Sequence, residues 1–323
     1  MHAIHVTEIG GPEVLRLVEV DEPTAGPGEV VVAVDAAGVN YIDTYHRRGL
    51  YPVEPPFTLG VEHAGTIVEV GAGVEGFAVG DRVASSSAMG SYADLVAVDA
   101  SVVVGVPDDL SSEEAAAVLL QGMTAHYLVN DTFSLGPGHR CLVHAGAGGV
   151  GLLLIQMAAA AGAEVFTTVS SSEKAALARA AGAHHVIRYD ERPVDEGVRE
   201  AAGAARPLDV VYDGVGASTF DRGLELLRPR GLMALFGQAS GPVPPFDLQR
   251  LNANGSLFVT RPTLFHYVAE RAELERRAAD VFEAVANGSL SVRIGDRYPL
   301  DEATDAHRAL EGRRTTGKVL LLP

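Results

Sequence analysis

A glycine-rich segment at residues 146–151 offers the clearest chemistry in this sequence. It follows an apolar strand-like run, opens a long apolar helix-like run, and consists of Gly146, Ala147, Gly148, Gly149, Val150 and Gly151. Glycines permit a tight turn and let the backbone approach a pyrophosphate, which the free N–H groups of a helix N-terminus attract. Between a strand and a helix, this pattern predicts a dinucleotide-binding site.

The end of the next predicted strand indicates which dinucleotide binds. In NAD-binding units an Asp or Glu about 20 residues beyond the glycines binds the ribose hydroxyl. Here the strand at residues 164–169 is followed by Ser170, and Lys174 lies within one helical turn of it. Hydroxyls and an ammonium suit a 2′-phosphate, which favours NADPH over NADH. In the alternative, Lys174 is a solvated lysine at a helix start and Glu173 takes the acidic role.

The composition excludes several classes of protein. A length of 323 residues suits two domains, and 47% hydrophobic residues allow a sizeable core. The net charge of −17 disfavours binding to nucleic acid or to an anionic membrane. One cysteine, Cys141, cannot form an internal disulfide, and we see neither a signal peptide nor an apolar run long enough to span a bilayer. These features together predict a cytoplasmic protein.

Two patterns of secondary structure follow one another along the chain. Short strands with frequent turn signals, at residues 29–35, 66–70, 82–84 and 92–98, predict a β-rich unit, and Ser111 with Glu114 forms a capping box before a helix. From residue 140 onward strands alternate with helices, which predicts a parallel sheet covered on both faces. Its strands are expected at residues 141–145, 164–169, 186–187, 209–212 and 232–236, with residues 256–260 at its edge. A charged helix at 267–286, in which Glu273 and Arg277 pair at i,i+4 on an expected solvated face, and a terminal strand at 318–321 complete the chain. We expect the C-terminal piece to return to the first unit, with a substrate cleft between the two domains.

The chain resembles the medium-chain dehydrogenase/reductase superfamily, and within it the zinc-free NADPH:quinone oxidoreductases of the zeta-crystallin type. The resemblance rests on the glycine loop and on residues 10–15, 38–45, 49–52, 80–83, 121–125, 210–216, 230–237 and 260–262. It implies an α/β protein with a GroES-like β-rich catalytic domain and a Rossmann domain built on a doubly wound parallel sheet. The implied boundaries are 1–122 for the first part of the catalytic domain, 123–262 for the NADPH-binding domain and 263–323 for the return to the catalytic domain.

The stretches that carry zinc ligands in related alcohol dehydrogenases differ here. They read Val39-Asn40-Tyr41 and Gly60-Val61-Glu62, without a thiol or imidazole at the matching places. His63, beside Glu62, is more simply a packed, hydrogen-bonded residue than a ligand. We therefore expect no metal, since a zinc site needs three or four ligands within reach.

Without a metal, the acceptor must take hydride readily, as quinones and α,β-unsaturated carbonyls do. The resemblance places Asn40, Tyr45 and Tyr51 near the nicotinamide as catalytic candidates that polarise the acceptor by hydrogen bonds, with Tyr51 the favoured proton donor. Ordinary loop packing is the alternative role for the two tyrosines. The predicted function is NADPH-dependent reduction of a quinone. The alternatives are reduction of enals, enones or enoyl thioesters, and a non-catalytic NADPH-binding or RNA-binding role.

The resemblance also implies a set of cofactor contacts and a homodimer. Asn40, Tyr45 and Thr124 would line the nicotinamide site, and Phe236, Gly237 and Gln238 would flank the ring. The remaining implied contacts are Gly148, Gly149 and Val150 at the pyrophosphate, Ser170 and Lys174 at the 2′-phosphate, Tyr189 at the adenosine, and Arg313 and Lys318 reaching back from the C-terminus. The implied dimer pairs through the edge strand of the Rossmann domain, and Gln121 leaves the identity of the acceptor open.

Overall fold

The computed structural model describes residues 1–323, which divide into two compact units. The first unit comprises Met1–Met123 and Tyr267–Pro323, and the second comprises Thr124–His266. None of the helices combines the length and the apolar character that crossing a bilayer requires.

The N-terminal part of the first unit is built from short antiparallel strands. They are β1 (His2–Val6), β2 (Leu15–Glu19), β3 (Glu29–Val39), β4 (Phe57–Thr58), β5 (His63–Val70), β6 (Arg82–Ser85), β7 (Leu95–Asp99) and β8 (Val103–Gly105). Strand β1 pairs with β2 and β4 in a small sheet. Strand β3 is the longest, and it pairs with both β5 and β7. Strand β3 is buried at nearly every position, with Asp35 its one exposed residue, and its valines contribute to the apolar core of this unit.

Two helices follow from these strands. Helix α1 (Tyr41–Arg47) begins directly after β3, and helix α2 (Ser112–Tyr127) begins at the predicted capping box. Ser111 Oγ accepts from the Glu114 N–H at 3.2 Å, and Glu114 Oε2 accepts from the Ser111 N–H at 2.9 Å, which confirms that prediction. The helix extends into a single π-helical turn, Leu128–Thr132.

The second unit has the predicted alternation of strands and helices. Its strands are β9 (Arg140–Val143), β10 (Glu164–Val169), β11 (His185–Arg188), β12 (Leu208–Asp213), β13 (Leu227–Leu235) and β14 (Phe258–Thr260). Its helices are α3 (Gly149–Ala160), α4 (Ser172–Ala180), α5 (Val194–Ala202), α6 (Phe220–Leu226) and α7 (Gln249–Ala253), followed by α8 (Leu264–Tyr267) at the boundary.

These six strands form one fully parallel sheet in the order β11-β10-β9-β12-β13-β14. The strand order reverses between β9 and β12, which is where doubly wound sheets bind their ligands. The sheet is covered by an apolar core that includes Leu142, Phe166 and Met233. The predicted α/β fold, with a parallel Rossmann sheet in one unit, is confirmed.

The C-terminal segment adds α9 (Arg271–Ala286), β15 (Ile294–Pro299), α10 (Ala303–Glu311) and β16 (Lys318–Leu322) to the first unit. Strand β16 pairs antiparallel with the end of β3, with Leu320 opposite Gly38. The third and last strands of the first unit therefore lie side by side at the point where β3 leads into α1.

The predicted single helix at 267–286 is wrong in two respects. The chain breaks between α8 and α9, because Glu270 takes an extended conformation as the N-cap of α9. Arg277 was expected on a solvated face, but it is 1% exposed. Its Nε donates to the Tyr267 carbonyl at 3.0 Å and its guanidinium lies 5.6 Å from the centre of the Tyr267 ring. Its predicted pairing with Glu273 is present at 3.4 Å.

Candidate active site

The glycine loop forms a tight turn between β9 and α3 that leaves no room for a side chain at two of its glycines. Ala145 enters the turn with a positive φ of 56°, a conformation that L-residues adopt at a cost. A Cβ on Gly151 would lie 2.3 Å from the Ala145 carbonyl oxygen, and a Cβ on Gly146 would lie 1.9 Å from Thr167 Oγ1. The sequence therefore places glycine where the backbone of the turn packs against itself.

The N-terminus of α3 is open to an anion. Gly148 is the N-cap residue and has no side chain with which to accept from the first turn of the helix. The N–H groups of that turn, together with the helix dipole, therefore remain for a ligand's phosphate oxygens. Gly148, Gly149 and Val150 lie at this helix end, as the sequence predicted, at the carboxyl edge of the parallel sheet.

A buried histidine supports the loop, and no sequence pattern singled it out. His144 Nδ1 lies 3.1 Å from Thr168 Oγ1, which also accepts from the Ala145 N–H at 3.3 Å. Burial lowers the pKa of His144, so its ring is neutral at physiological pH. The histidine and the threonine connect the ends of β9 and β10 below the turn.

The predicted 2′-phosphate residues lie at the end of β10. Ser170 and Lys174 are both half-buried, and Ser171 caps α4 by accepting from the Lys174 N–H at 3.2 Å. This cap fixes Lys174 in the first turn of α4. Tyr189 follows β11, is 40% exposed, and donates its N–H to the Val169 carbonyl at 3.1 Å. The backbone thus brings Tyr189 next to the strand end that carries Ser170.

Phe236, Gly237 and Gln238 follow β13, where Asp213 organises the backbone. The Asp213 carbonyl accepts from the Phe236 N–H at 2.9 Å, and its Oδ1 accepts from two N–H groups of the following turn. A Cβ on Gly237 would lie 2.5 Å from the Gly214 carbonyl oxygen. The two strand ends therefore approach as closely as glycine allows. Thr124, the remaining predicted residue of this unit, lies buried on α2.

In the first unit, Asn40 and Glu62 converge on the ammonium of Lys318. Lys318 is 1% exposed and forms an ion pair with the fully buried Glu62 carboxylate. Its Nζ also donates to Asn40 Oδ1 at 2.8 Å. Asn40 and Glu62 stand at the stretches that match zinc-ligand segments of related dehydrogenases, so a lysine cation lies where those two positions meet. Arg313, in contrast, is exposed in the turn after α10.

The predicted catalytic tyrosines belong to α1 and to the turn that follows it. Tyr45 is buried, Tyr51 is half-buried, and their rings meet edge to face with centres 5.5 Å apart. The Tyr45 carbonyl accepts from the Tyr51 N–H at 3.3 Å. The structure therefore brings Tyr45 and Tyr51 together.

A buried hydrogen-bonded chain holds α1, and sequence reasoning missed it. Arg47 Nη1 lies 2.8 Å from His307 Nδ1, and His307 Nε2 lies 3.3 Å from the Tyr92 hydroxyl. Arginine can only donate, so His307 must accept at Nδ1 and donate from Nε2. Burial and the Arg47 charge lower the pKa of His307 to about 3. The one available sequence signal was the spacing of Asn40 and Asp43, which lie three residues apart at a helix start and so indicate a capping contact between them.

The hydrogen-bonded chain ends on Asp43, which is fully buried. Asp43 Oδ2 accepts from the Tyr92 hydroxyl at 2.7 Å and from the Asn40 N–H at 2.8 Å, while its Oδ1 has no partner. Burial raises the pKa of Asp43 to about 7, although both donors act in the opposite direction. At the other end, the Arg47 guanidinium binds both oxygens of Glu311. Both ends of α1 are thus fixed by buried polar contacts.

His63 is a packed histidine in the structure. Its Nδ1 lies 3.0 Å from the Ser91 hydroxyl, and burial lowers its pKa to about 4. His, Cys, Asp and Glu side chains do not gather anywhere in groups of three that could hold a metal ion. Independence from zinc remains a prediction.

Comparisons with known proteins identify the family. Residues 26–108 match the alcohol dehydrogenase GroES-like domain model, and residues 149–283 match the zinc-binding dehydrogenase model. A quinone oxidoreductase from Pseudomonas aeruginosa is 44% identical over 99% of both chains. A 2-haloacrylate reductase from a Burkholderia species is 41% identical over 97% of this chain and 96% of its own. A mycobacterial structure solved with NADPH is 51% identical over 100% of both chains, with a TM-score of 0.96. The chain therefore belongs to the quinone oxidoreductase family of the medium-chain dehydrogenase/reductases.

Proposed function

We propose that this protein is an NADPH-dependent quinone reductase that works without a metal ion. The observation that carries the proposal is the open N-terminus of α3 behind a glycine loop that has no room for a side chain at Gly146 or Gly151. The names of the similar quinone oxidoreductases and the NADPH complex of the mycobacterial structure support it. Glu62 supports the metal-free chemistry, because its carboxylate already pairs with an ammonium.

The residues of the second unit fit NADPH. Backbone N–H groups of Gly149 and Val150 would bind the pyrophosphate, and Gly148 would let it approach the backbone, because the Gly148 N–H already donates to the Ala145 carbonyl at 2.9 Å. Ser170 with Lys174 would bind the 2′-phosphate. The remaining contacts follow the strand ends, with Tyr189 at the adenosine and with Phe236, Gly237, Gln238 and Thr124 at the nicotinamide. We keep Arg313 as a surface contact to the cofactor. When bound, NADPH supplies the hydride.

The residues of the first unit would bind and polarise the acceptor. A quinone takes up hydride readily because the added charge spreads onto oxygen, and hydrogen-bond donors placed at that oxygen lower the barrier. Tyr51 is the proposed proton donor, since a half-buried phenol can exchange its proton with water. Tyr45 holds the Tyr51 ring edge to face, and Asn40 anchors the start of α1 through Asp43.

One specific observation favours a second candidate reaction. The Burkholderia relative is named for the reduction of a 2-haloacrylate, an α,β-unsaturated carboxylate. Hydride addition to such a double bond again places charge on a carbonyl oxygen. The same residues could therefore reduce enals, enones or enoyl thioesters.

A panel of acceptors tests the proposal. NADPH consumption would be measured with matched quinones, enals, enones, enoyl thioesters and 2-haloacrylates, and the products identified by mass. We expect the highest kcat/KM on quinones and hydroquinone as the product. Saturated carbonyl products with little quinone turnover would move the activity to the second candidate, and NADPH binding without turnover on any acceptor would refute both.

The choice of NADPH over NADH has its own test in a charge reversal on α4. We expect Lys174→Glu to weaken NADPH binding at least about 10-fold and to leave NADH binding nearly unchanged, because the lost partner is the 2′-phosphate. Arg179→Glu makes the same charge change at the exposed far end of the helix and serves as the control. Equal effects of the two variants on NADPH would contradict the assignment.

We further propose a homodimer that pairs through β14. This strand lies at the edge of the six-stranded sheet, and Phe258 on it is 61% exposed. An exposed apolar edge strand is a template for pairing with a second copy. We expect Phe258→Lys to shift the mass measured by light scattering from dimer to monomer, whereas Val79→Lys, at a 64% exposed site of the other unit, should not. The single buried cysteine is consistent with a cytoplasmic protein.

A further inference from the structure

The hydrogen bonds around Asn40 leave its own amide fully occupied. Its Nδ2 donates to the Gly38 carbonyl at 3.1 Å and to Glu62 Oε2 at 2.8 Å. Its Oδ1 accepts from Lys318 Nζ at 2.8 Å and from Gln121 Nε2 at 3.4 Å. An amide has two donors and two acceptor positions, so Asn40 has nothing left to offer a substrate. It orients its neighbours instead.

The neighbours of Asn40 keep two unused positions. The Lys318 ammonium has three N–H donors, of which Asn40 and Glu62 take two. Glu62 accepts from Lys318 and Asn40 at Oε2 and from the Leu120 N–H at Oε1, which lie 2.7 Å apart, so neither of its oxygens is without a donor. Gln121 Oε1 is buried and has no partner. The neighbours of the Gln121 amide determine which way it faces. Lys318 can only donate, so the Asn40 atom that it contacts is the amide oxygen, and Gln121 must present Nε2 to that same oxygen. One donor and one acceptor therefore remain, on two side chains that meet at the same oxygen.

The chain has only two lysines among its 25 lysine and arginine residues, and Lys318 is one of them. An ammonium is a compact point charge with rotatable protons, whereas a guanidinium presents a rigid planar fork. A third proton free to turn toward a ligand is thus a property of lysine at this position. Lys318 lies against the Glu62 carboxylate in a buried ion pair, and the surrounding low dielectric leaves the field of these charges little screened.

We infer that Lys318 is the electrophile of the reaction, in the place of the metal ion used elsewhere in the superfamily. Its third N–H binds the carbonyl oxygen of the acceptor, and Gln121 Oε1 accepts from the hydroxyl that this oxygen becomes. A quinone oxygen can only accept, but a hydroquinone oxygen both accepts and donates, so the pair of unused positions matches the reduced acceptor. The inference rests on the proposed function, because it concerns the same acceptor.

The step balances with the co-substrate already proposed. NADPH, when bound, would supply a hydride, and its addition to a ring carbon conjugated to the bound carbonyl would leave the oxygen at Lys318 as an oxyanion. The oxyanion would take a proton from Tyr51, which water replaces. Loss of the added ring hydrogen as a proton, with protonation of the second oxygen by water, would then give hydroquinone. Lys318 keeps its proton throughout, so its contribution is the field and the hydrogen bond at the moment when charge develops.

The test compares Lys318→Met with the double variant Glu62→Gln/Lys318→Met in the full-length protein. We expect Lys318→Met to lower kcat on quinones on the order of 100-fold, the effect of removing one oxyanion donor, with an unchanged Kd for NADPH by fluorescence titration. The double variant also removes the carboxylate that Lys318→Met alone would leave unpaired, so that two neutral side chains replace the ion pair. We expect it to fold, to bind NADPH and to remain slow.

Two results would overturn the role of Lys318. Recovery of kcat in the double variant would show that the lysine only balances Glu62. A loss of NADPH affinity as large as the loss of kcat would make Lys318 a cofactor ligand. Failure of the proposed function is a separate outcome, because it appears as a wild-type protein that reduces no acceptor.

Gln121 gives an independent readout. We expect Gln121→Leu to raise the inhibition constant of the hydroquinone product about 5-fold to 10-fold, the worth of one neutral hydrogen bond, while the KM of the quinone stays unchanged. The quinone has no proton to donate to Gln121, so only the product should respond. An unchanged product inhibition constant would remove Gln121 from the site.

Discussion

Replacing Asp43 by asparagine should make the protein more stable, and more so at higher pH. Asp43 is fully buried, and its ordinary pKa of 3.8 is raised by burial to about 7. The folded protein therefore holds this proton more tightly than the unfolded chain does. Asp43 stabilises the fold fully below about pH 4, and that contribution is lost as the pH rises through about 7. Between a pKa of 3.8 and one of about 7, the full loss amounts to about 4 kcal/mol.

Asparagine resembles the protonated carboxyl in shape and charge. Its side-chain oxygen can accept the two hydrogen bonds that Asp43 Oδ2 receives from Tyr92 and Asn40, and its NH₂ takes the place of the unpartnered Oδ1. We therefore expect the Asp43→Asn variant to gain about 2 kcal/mol over wild type between about pH 5.5 and about pH 8.5. Urea unfolding followed by circular dichroism at both pH values measures the difference.

The matched control is Asp109→Asn, which removes an exposed carboxylate from the same unit. Its stability difference from wild type should not vary between the two pH values. If the difference for Asp43→Asn is equally flat, the buried carboxyl does not change its protonation between the two pH values, and a pKa of about 7 is wrong.

Three further predictions address other parts of the molecule. We expect Gly151→Ala to weaken NADPH binding at least about 10-fold in a fluorescence titration, since its Cβ would lie 2.3 Å from a loop carbonyl oxygen. Gly148→Ala, whose Cβ would lie 3.3 Å from its nearest atom, should weaken binding less. Arg277→Met should lower the free energy of unfolding by about 2 kcal/mol, because a buried charged hydrogen bond is lost. The control Arg276→Met, whose side chain is 49% exposed, should leave that free energy nearly unchanged. The Cys141 thiol, with its pKa raised by burial to about 12, should react with a thiol reagent in urea but not in the native protein; rapid native labelling would contradict its burial.

The sequence was sufficient for those parts of the molecule that depend on local pattern. The parallel strands of the second unit were located to within a few residues because apolar runs, helices and glycine turns alternate there with a regular period. Strand β14 begins later than predicted because Ser256 adopts a positive φ of 58°, which no pattern of hydrophobicity reveals. Strand β13 begins earlier, since the pairing with β12 continues across a register shift near Leu208.

The polar centre of the first unit could not be predicted from the sequence. Asn40 was singled out, but the group it serves arrives from residues far along the chain, with Lys318 278 positions away. Tyr92 and His307 are 215 positions apart, and nothing in their local sequence suggests that they touch. Such contacts are decided when the last strand pairs with the third. A resemblance can name the residues, but it cannot give the donor and acceptor directions that determine what each residue does.

The scarcity of lysine gives this protein a natural reporter of its cofactor. Lys174 is half-buried in the first turn of α4, whereas Lys318 is buried and paired with Glu62. Reductive methylation with ¹³C-formaldehyde would label Lys174 and the N-terminal amine in the native protein, while the ion-paired Lys318 reacts far more slowly. Lys174 then carries the one lysine methyl resonance of the native sample, so NADPH occupancy could be followed by NMR without any mutation.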